Sequence, residues 1–128
     1  MLDIHETYLE MQVQTATDEQ RLIMLFDGAV KFSRIAIQAI QQKKQDIASR
    51  NLCYAQNILL HLKASLRQEH TPELSGSLDK LYTHWHLLLV KGNQEKHIQP
   101  IQEVIEGLTS IRQSFAQVQQ SLRADGGV

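Results

Sequence analysis

A helix-start signal stands directly before a strongly apolar segment near the N-terminus. Thr17 is placed to accept hydrogen bonds from first-turn amides, and Gln20 is placed to reach back to the cap, which is the capping-box pattern. Asp18 and Glu19 between them favour a helix N-terminus because of the helix dipole. The apolar segment 22–32 follows. The pattern predicts a helix with more apolar surface than one core can bury.

The composition favours a single all-α domain. The chain has 128 residues, which is enough for one core, and only 6 Gly and 2 Pro, whereas a sandwich or barrel needs many turns. Its 13 basic and 14 acidic side chains nearly balance, and Lys43-Lys44 is the most basic step. The sequence therefore lacks the basic patch that binding to a nucleic-acid backbone requires.

The cellular setting is predicted from what the sequence carries. The single Cys53 has no partner for an internal disulfide, and the first residues are acidic where a secretory signal is basic and then apolar. No apolar run approaches the ~20 residues that a membrane-spanning helix needs. We therefore expect a soluble, cytoplasmic protein without membrane insertion.

Four helical patterns follow a head segment, and short breaks separate them. Pro72 and the Gly92-Asn93 pair are predicted to mark a helix start and a left-handed helix end, respectively. Short connections make neighbouring helices antiparallel, so we expect an up-down-up-down four-helix bundle in one domain, 1–128. The predicted segments are the head 1–16, the helices 18–42, 46–69, 72–91 and 97–123, and a frayed tail 124–128. The predicted buried stripe of the third helix is Leu74, Leu78, Leu81, Trp85 and Leu88.

The first helix carries apolar side chains beyond those needed for its core row. At roughly 100° per residue its apolar arc covers about 200°, where a surface helix needs little more than 100°. The surplus residues form a β-branched row, Ile23, Val30 and Ile37, which is predicted to be the wall of a groove. Leu60 lies on a lesser apolar row of the second helix, which is predicted to form the opposite wall. The residues that we assign to this groove are Ile23, Phe26, Val30, Ile37 and Leu60. The alternatives are that the head segment covers these residues or that the chain self-associates.

Catalytic and metal-binding patterns are weak. No Glu is followed by a His three residues later, as di-metal bundles require. His61 is followed by a lysine, as the phosphoacceptor His of phosphotransfer bundles is. In that family the lysine stands three residues after the His, one helical turn on. Here Lys63 stands two residues after His61, which is about 200° around the helix. Cys53 has no His or acid at a recognisable offset. We predict no enzyme activity, no metal and no cofactor.

Several blocks of the sequence, in matching order and spacing, resemble the FliS family of flagellar secretion chaperones. The similarity extends from about residue 8 to residue 118. The blocks are Tyr8, Val13-Gln14-Thr15-Ala16-Thr17, Leu22-Ile23-Met24-Leu25-Phe26-Asp27-Gly28-Ala29, Ala55-Gln56-Asn57-Ile58-Leu59, Leu81-Tyr82, Asn93 and Glu103-Val104.

The resemblance implies a four-helix bundle that binds the disordered C-terminal segment of flagellin in the cytoplasm. It implies further that the protein blocks premature polymerisation and delivers flagellin to the type III export apparatus through the gate component FlhA. Of the two head tyrosines usual in that family, Tyr8 matches one, and His5 stands at the other, so masking of the groove and contact with the gate are carried over to Tyr8 alone. Leu87-Leu88 replaces an Arg pair of the family, and this position offers either a partner surface or a different flagellin contact. Binding of a co-chaperone to the outer face of the bundle stays open.

Two other functions stay open at the level of the sequence. One is a phosphotransfer signalling bundle that uses His61, and the other is a self-associating structural bundle. Phosphohistidine formation would distinguish the first from a chaperone, and oligomerisation without peptide binding would distinguish the second.

Overall fold

The computed structural model describes residues 17–66 and 71–126 as four α-helices, with no strand in that part of the chain. The side chains of residue 119 and of residues 122–126 lie outside the description, as do the predicted head 1–16 and its Tyr8. The helices are α1 (Asp18–Gln41), α2 (Gln45–Ala64), α3 (Pro72–Glu95) and α4 (Ile98–Gly126).

The helices form a bundle in which each packs against the next along the chain and α4 returns to α1. Between α1 and α2, a Cβ on Gly28 would lie 3.2 Å from Ile58, while the Phe32 ring lies 5.2 Å from the Tyr54 ring. Residue numbers that rise on one helix thus fall on its neighbour, which fits an antiparallel arrangement. The same reversal relates the other packed pairs of helices. For α2 and α3 it is seen in Ser49 with Asn93 and Lys63 with Thr83, for α3 and α4 in Trp85 with Gly107 and Gly92 with Ile101, and for α1 and α4 in Phe26 with Phe115 and Asp27 with Arg112.

The predicted helix starts are confirmed at α1 and α3. The Thr17 amide donates to Gln20 Oε1 at 3.0 Å, and the Gln20 amide donates to Thr17 Oγ1 at 3.2 Å, which completes the capping box. At α3 the Leu74 amide donates to Thr71 Oγ1 at 3.4 Å, with Pro72 at the first helical position, where its missing N–H costs nothing. Local side-chain chemistry therefore sets these two boundaries.

The predicted left-handed stop at Gly92-Asn93 is wrong, because α3 continues to Glu95. The residue in the left-handed conformation is Lys96, with φ of 51°, and its ammonium donates to the Asn93 carbonyl at 2.7 Å and to Asn93 Oδ1 at 2.8 Å. Gly92 is instead a packing residue, since a Cβ there would lie 2.8 Å from Ile101 Cγ1. Glycine suits both a left-handed helix end and the close approach of a neighbouring helix, and at Gly92 it serves the close approach.

Other helix ends also differ from the predicted ones. The second helix ends at Ala64, short of the predicted 69, and a turn follows at Ser65. The last helix continues through most of the predicted frayed tail 124–128, to Gly126, since no glycine or proline interrupts it earlier in that tail. Helix ends are the part of the fold that periodicity defines least.

The core is formed by apolar side chains from all four helices, and its largest members are aromatic. On α3 the buried stripe is rotated from the predicted one: Leu81 and Leu88 are only half-buried, and Leu74 is exposed. The buried apolar side chains of α3 are Leu78, Tyr82, Trp85 and Leu89. The rings of Phe26 and Tyr82 lie 6.4 Å apart, and those of Tyr82 and Trp85 lie 6.1 Å apart, so one aromatic row connects α1 to α3.

Replacing Gly107 with alanine is expected to destabilise the bundle by about 1 to 2 kcal/mol. The new Cβ would lie 2.7 Å from Trp85 Cε2, and Trp85 is buried, so the rigid indole would have to shift at an overpacking cost in the upper part of the usual range, about 2 to 3 kcal/mol. This exceeds the gain of about 1 kcal/mol that alanine brings to a helix interior. Urea unfolding followed by circular dichroism measures the change.

Gly76→Ala is the matched control. A Cβ at Gly76 would meet no atom within 4 Å, so the same substitution should stabilise the protein by about 1 kcal/mol. Equal stability of the two variants would show that the indole of Trp85 moves aside freely, and the packing explanation would then be wrong.

Candidate functional site

The surplus β-branched row of α1 lies on the side of that helix that faces α4. Val30 lines a cavity of about 360 Å³ whose other lining residues are Asp27, Lys31, Arg34, Thr109 and Arg112. Ile23 and Ile37 lie one heptad to either side of Val30, and all three side chains are half-buried against the core. We call the surface formed by these three residues and the cavity lining the α1–α4 seam. It is an apolar strip beside a charged rim.

An ion pair crosses the seam. Arg112 Nε donates to Asp27 Oδ1 at 2.9 Å, and Arg112 Nη2 donates to Asp27 Oδ2 at 3.4 Å, so the contact is bidentate. Both side chains are about half exposed, and pairs of this kind contribute roughly 0.2 to 1 kcal/mol. The pair therefore links α1 to α4 across the seam but adds little to the stability of the fold.

Phe26, which the sequence assigned to the groove, belongs to the core. Its side chain is 0% exposed, and its ring stacks on that of Phe115 with centroids 5.7 Å apart. It lies one turn from both Ile23 and Val30 on the helix, so it supports their side chains from below. Phe26 is therefore not part of an accessible wall in this structure.

Leu60 is accessible, but it lies away from the seam. Its side chain is 47% exposed. One turn further along α2, Lys63 donates to Thr83 Oγ1 at 2.6 Å, which places this side of α2 next to α3. The Ile23 row faces α4 on the other side of the bundle, so the structure does not bring Leu60 and that row together as two walls of one groove.

The structure also has an apolar surface that the sequence analysis missed, on the outside of α1 and α2. The half-buried ring of Phe32 contacts Tyr54, which is 45% exposed, and half-buried Ile58 lies beside Gly28. A signal for it was present in the sequence. Phe32 and Tyr54 lie at equal distances from the break at residue 43, and residues at such positions meet in an antiparallel helix pair.

Comparison with known proteins gives the family. The model of the family described as flagellar protein FliS matches residues 1–122. The chain belongs to the FliS family. The flagellar secretion chaperone FliS of Bacillus subtilis (strain 168) is 33% identical to it over 121 residues, covering 94% of this chain and 90% of that protein. The protein of the same name from Salmonella typhimurium (strain LT2) is 32% identical over 111 residues, covering 86% of this chain and 82% of that protein.

FliS is a family of flagellar secretion chaperones and not of enzymes. The side chains that prompted the phosphotransfer alternative also point apart. His61 lines a cavity with Arg21 and Leu22 of α1, whereas the Lys63 ammonium contacts Thr83 and lies 3.7 Å from Asp79, both on α3. Lys63 is therefore not oriented to assist a phosphoryl group on His61.

Of the two leucines Leu87 and Leu88 in α3, only one has an exposed side chain. Leu87 is 60% exposed on the outside of α3, while Leu88 is half-buried against the core. The pair thus adds one exposed apolar side chain to this face.

The described helices carry neither a grouped set of metal ligands nor a membrane-spanning segment. Within residues 17–66 and 71–126, no three His, Cys, Asp or Glu side chains are grouped so as to hold a metal ion. None of the four described helices combines the length and the apolar character that crossing a membrane requires.

Proposed function

We propose that this chain is a cytoplasmic export chaperone that binds the disordered C-terminal segment of flagellin. By occupying that segment it prevents premature polymerisation, and it delivers the subunit to the flagellar type III export apparatus. The chaperone names of its relatives support this proposal. The observation that carries it is the half-buried row of Ile23, Val30 and Ile37, which has apolar surface to offer beyond the core of the bundle.

The physical basis of capture is folding coupled to binding. A disordered segment loses conformational entropy when it becomes ordered, and burial of a long apolar strip compensates that loss. The helix-in-groove mode fits the seam, since an amphipathic helix can place its apolar face along the Ile23, Val30 and Ile37 row. The exposed Tyr54 and Leu60 surfaces offer further contact to a segment that wraps around the bundle.

Tyr8 and the head segment have the second role in this proposal. The head is the part that is displaced when flagellin binds, and Tyr8 contacts the export gate component FlhA in the loaded state. Pull-down of FlhA with the wild type and with Tyr8→Ala, each loaded with flagellin, tests this contact. Equal recovery of FlhA by the two proteins would remove Tyr8 from the gate contact.

Isothermal titration with a synthetic peptide of the last forty or so residues of the host's flagellin tests the proposed function. We expect one-to-one binding with a large negative heat-capacity change, because apolar burial and coupled folding both contribute to it. A scrambled peptide of the same composition is the control. Absence of heat together with no shift on a sizing column would overturn the chaperone proposal for this substrate and favour the self-associating bundle.

A further inference from the structure

The α1–α4 seam carries more positive charge than the rest of the chain leads one to expect. Three cations, Lys31, Arg34 and Arg112, line the cavity beside Val30, against one carboxylate, Asp27. The whole chain has a formal charge of −1, so the excess at this cavity is local.

Two of these cations have no partner in the described part of the chain. Arg112 is paired with Asp27 in the bidentate contact. For Lys31 and Arg34, no ion pair or side-chain hydrogen bond joins them to any other residue within 17–66 and 71–126. They stand three residues apart on α1, so they are neighbours on its surface and both border the apolar strip.

We propose that Lys31 and Arg34 bind a carboxylate of the segment that occupies the α1–α4 seam. The inference rests on the proposed function and specifies its substrate: a helical segment that carries an acidic group beside its apolar face. The planar guanidinium of Arg34 suits a carboxylate because it can donate two parallel hydrogen bonds, and Lys31 adds a mobile second charge. Their position at the rim fixes the register of the segment, while Ile23, Val30 and Ile37 provide the apolar contact.

The expected size of the effect follows from the exposure of the two cations. Both side chains are exposed, and exposed charge pairs each change affinity by modest amounts. Neutralising both residues is therefore expected to weaken binding about fivefold at low salt. Charges at the rim of an interface act mainly on the association rate and on its salt dependence, so much of the loss should appear in the association rate.

The test compares two double variants of the full chain. Lys31→Gln/Arg34→Gln removes the two seam cations, and Lys80→Gln/Lys91→Gln removes two exposed cations of α3 that lie outside the seam. Each variant is titrated with the C-terminal flagellin peptide at about 50 mM and about 0.3 M NaCl. We expect the seam variant to bind about fivefold more weakly at low salt and to lose most of its salt dependence, while the α3 variant retains both values.

Two further peptides distinguish the source of the carboxylate. One has every Asp and Glu replaced by Asn and Gln, and the other has only its C-terminal carboxylate amidated. If one of these peptides binds the wild type as weakly as the unmodified peptide binds the seam variant, the carboxylate that Lys31 and Arg34 contact is among the groups removed from that peptide. If both modified peptides bind as well as the original, the inference is wrong.

Failure of this inference and failure of the proposed function give different results. Equal binding by wild type and seam variant, or equal weakening in the two double variants, would overturn the carboxylate contact and leave flagellin capture intact. No binding by the wild type would overturn both. If the wild type dimerises in sedimentation and the seam variant does not, the seam is occupied by a second copy of the chain, and the inference is wrong.

Discussion

Phe26→Ala is expected to lower the free energy of unfolding by about 3 to 5 kcal/mol, which is a large fraction of the stability of a small domain. The side chain is completely buried and contacts the rings of Tyr82 on α3 and Phe115 on α4, so its removal leaves a cavity where three helices meet. Collapse of that cavity is limited because each surrounding ring also packs against other core residues. Urea unfolding monitored by helical circular dichroism measures the loss, with the slope of the transition compared between variants.

Phe32→Ala is the matched control for this prediction. Phe32 is on the same helix and also contacts an aromatic ring, that of Tyr54, but it is only half-buried on the outside of the bundle. Its removal should cost about 1 to 2 kcal/mol, because less apolar area returns to water and less of a cavity forms. If Phe26→Ala costs only the roughly 1 to 2 kcal/mol expected of Phe32→Ala, Phe26 is not a central core residue, and its assignment to the groove would have to be restored.

The parts of the fold that the sequence predicts well are those that depend on short-range chemistry. Thr17 with Gln20, and Thr71 with Pro72, are helix-start signals whose partners lie within one turn, so no knowledge of the bundle is needed to interpret them. The fold class follows from four apolar periodicities and the short connections between them.

The end of α3 shows where short-range interpretation stops. Gly92 carries the same sequence signal whether it ends a helix or lets another helix approach closely. The deciding atom is Ile101 Cγ1 on α4, which a Cβ at Gly92 would meet. The residue in the left-handed conformation is then Lys96, whose ammonium donates to the Asn93 carbonyl at the end of the helix. Neither contact is visible without the tertiary structure.

The candidate site shows a similar limit. A helical wheel correctly groups Ile23, Val30 and Ile37 on one edge of α1, because it depends only on the residue period. Which neighbouring helix faces that edge depends on the handedness of the bundle, and a wheel carries no information about handedness. The seam therefore faces α4, while Leu60 lies next to α3, and the two rows that the wheel suggested as facing walls are on different sides.

Ile23→Asp is expected to weaken capture of the C-terminal flagellin peptide at least about a hundredfold. It removes an apolar contact of roughly 1.5 to 3 kcal/mol and places a carboxylate against the apolar face of the bound segment, where its desolvation adds to the loss. We choose Ile23 over Val30 because Arg34 stands one turn after Val30 and would neutralise a new carboxylate there. Isothermal titration measures the binding, and thermal unfolding shows whether the variant remains folded.

Leu74→Asp is the control, since it makes the same apolar-to-acidic change at a side chain that is 42% exposed in the first turn of α3, away from the seam. It should bind the peptide as the wild type does. Because Ile23 is half-buried, we expect its substitution to reduce stability by about 1 to 2 kcal/mol while the helical content stays near that of the wild type. Loss of helical circular dichroism in Ile23→Asp would show that the β-branched row supports the core. A folded Ile23→Asp variant with undiminished binding would show that flagellin uses another surface, and the exposed ring of Tyr54 on the outside of α1 and α2 would then be the next position to substitute.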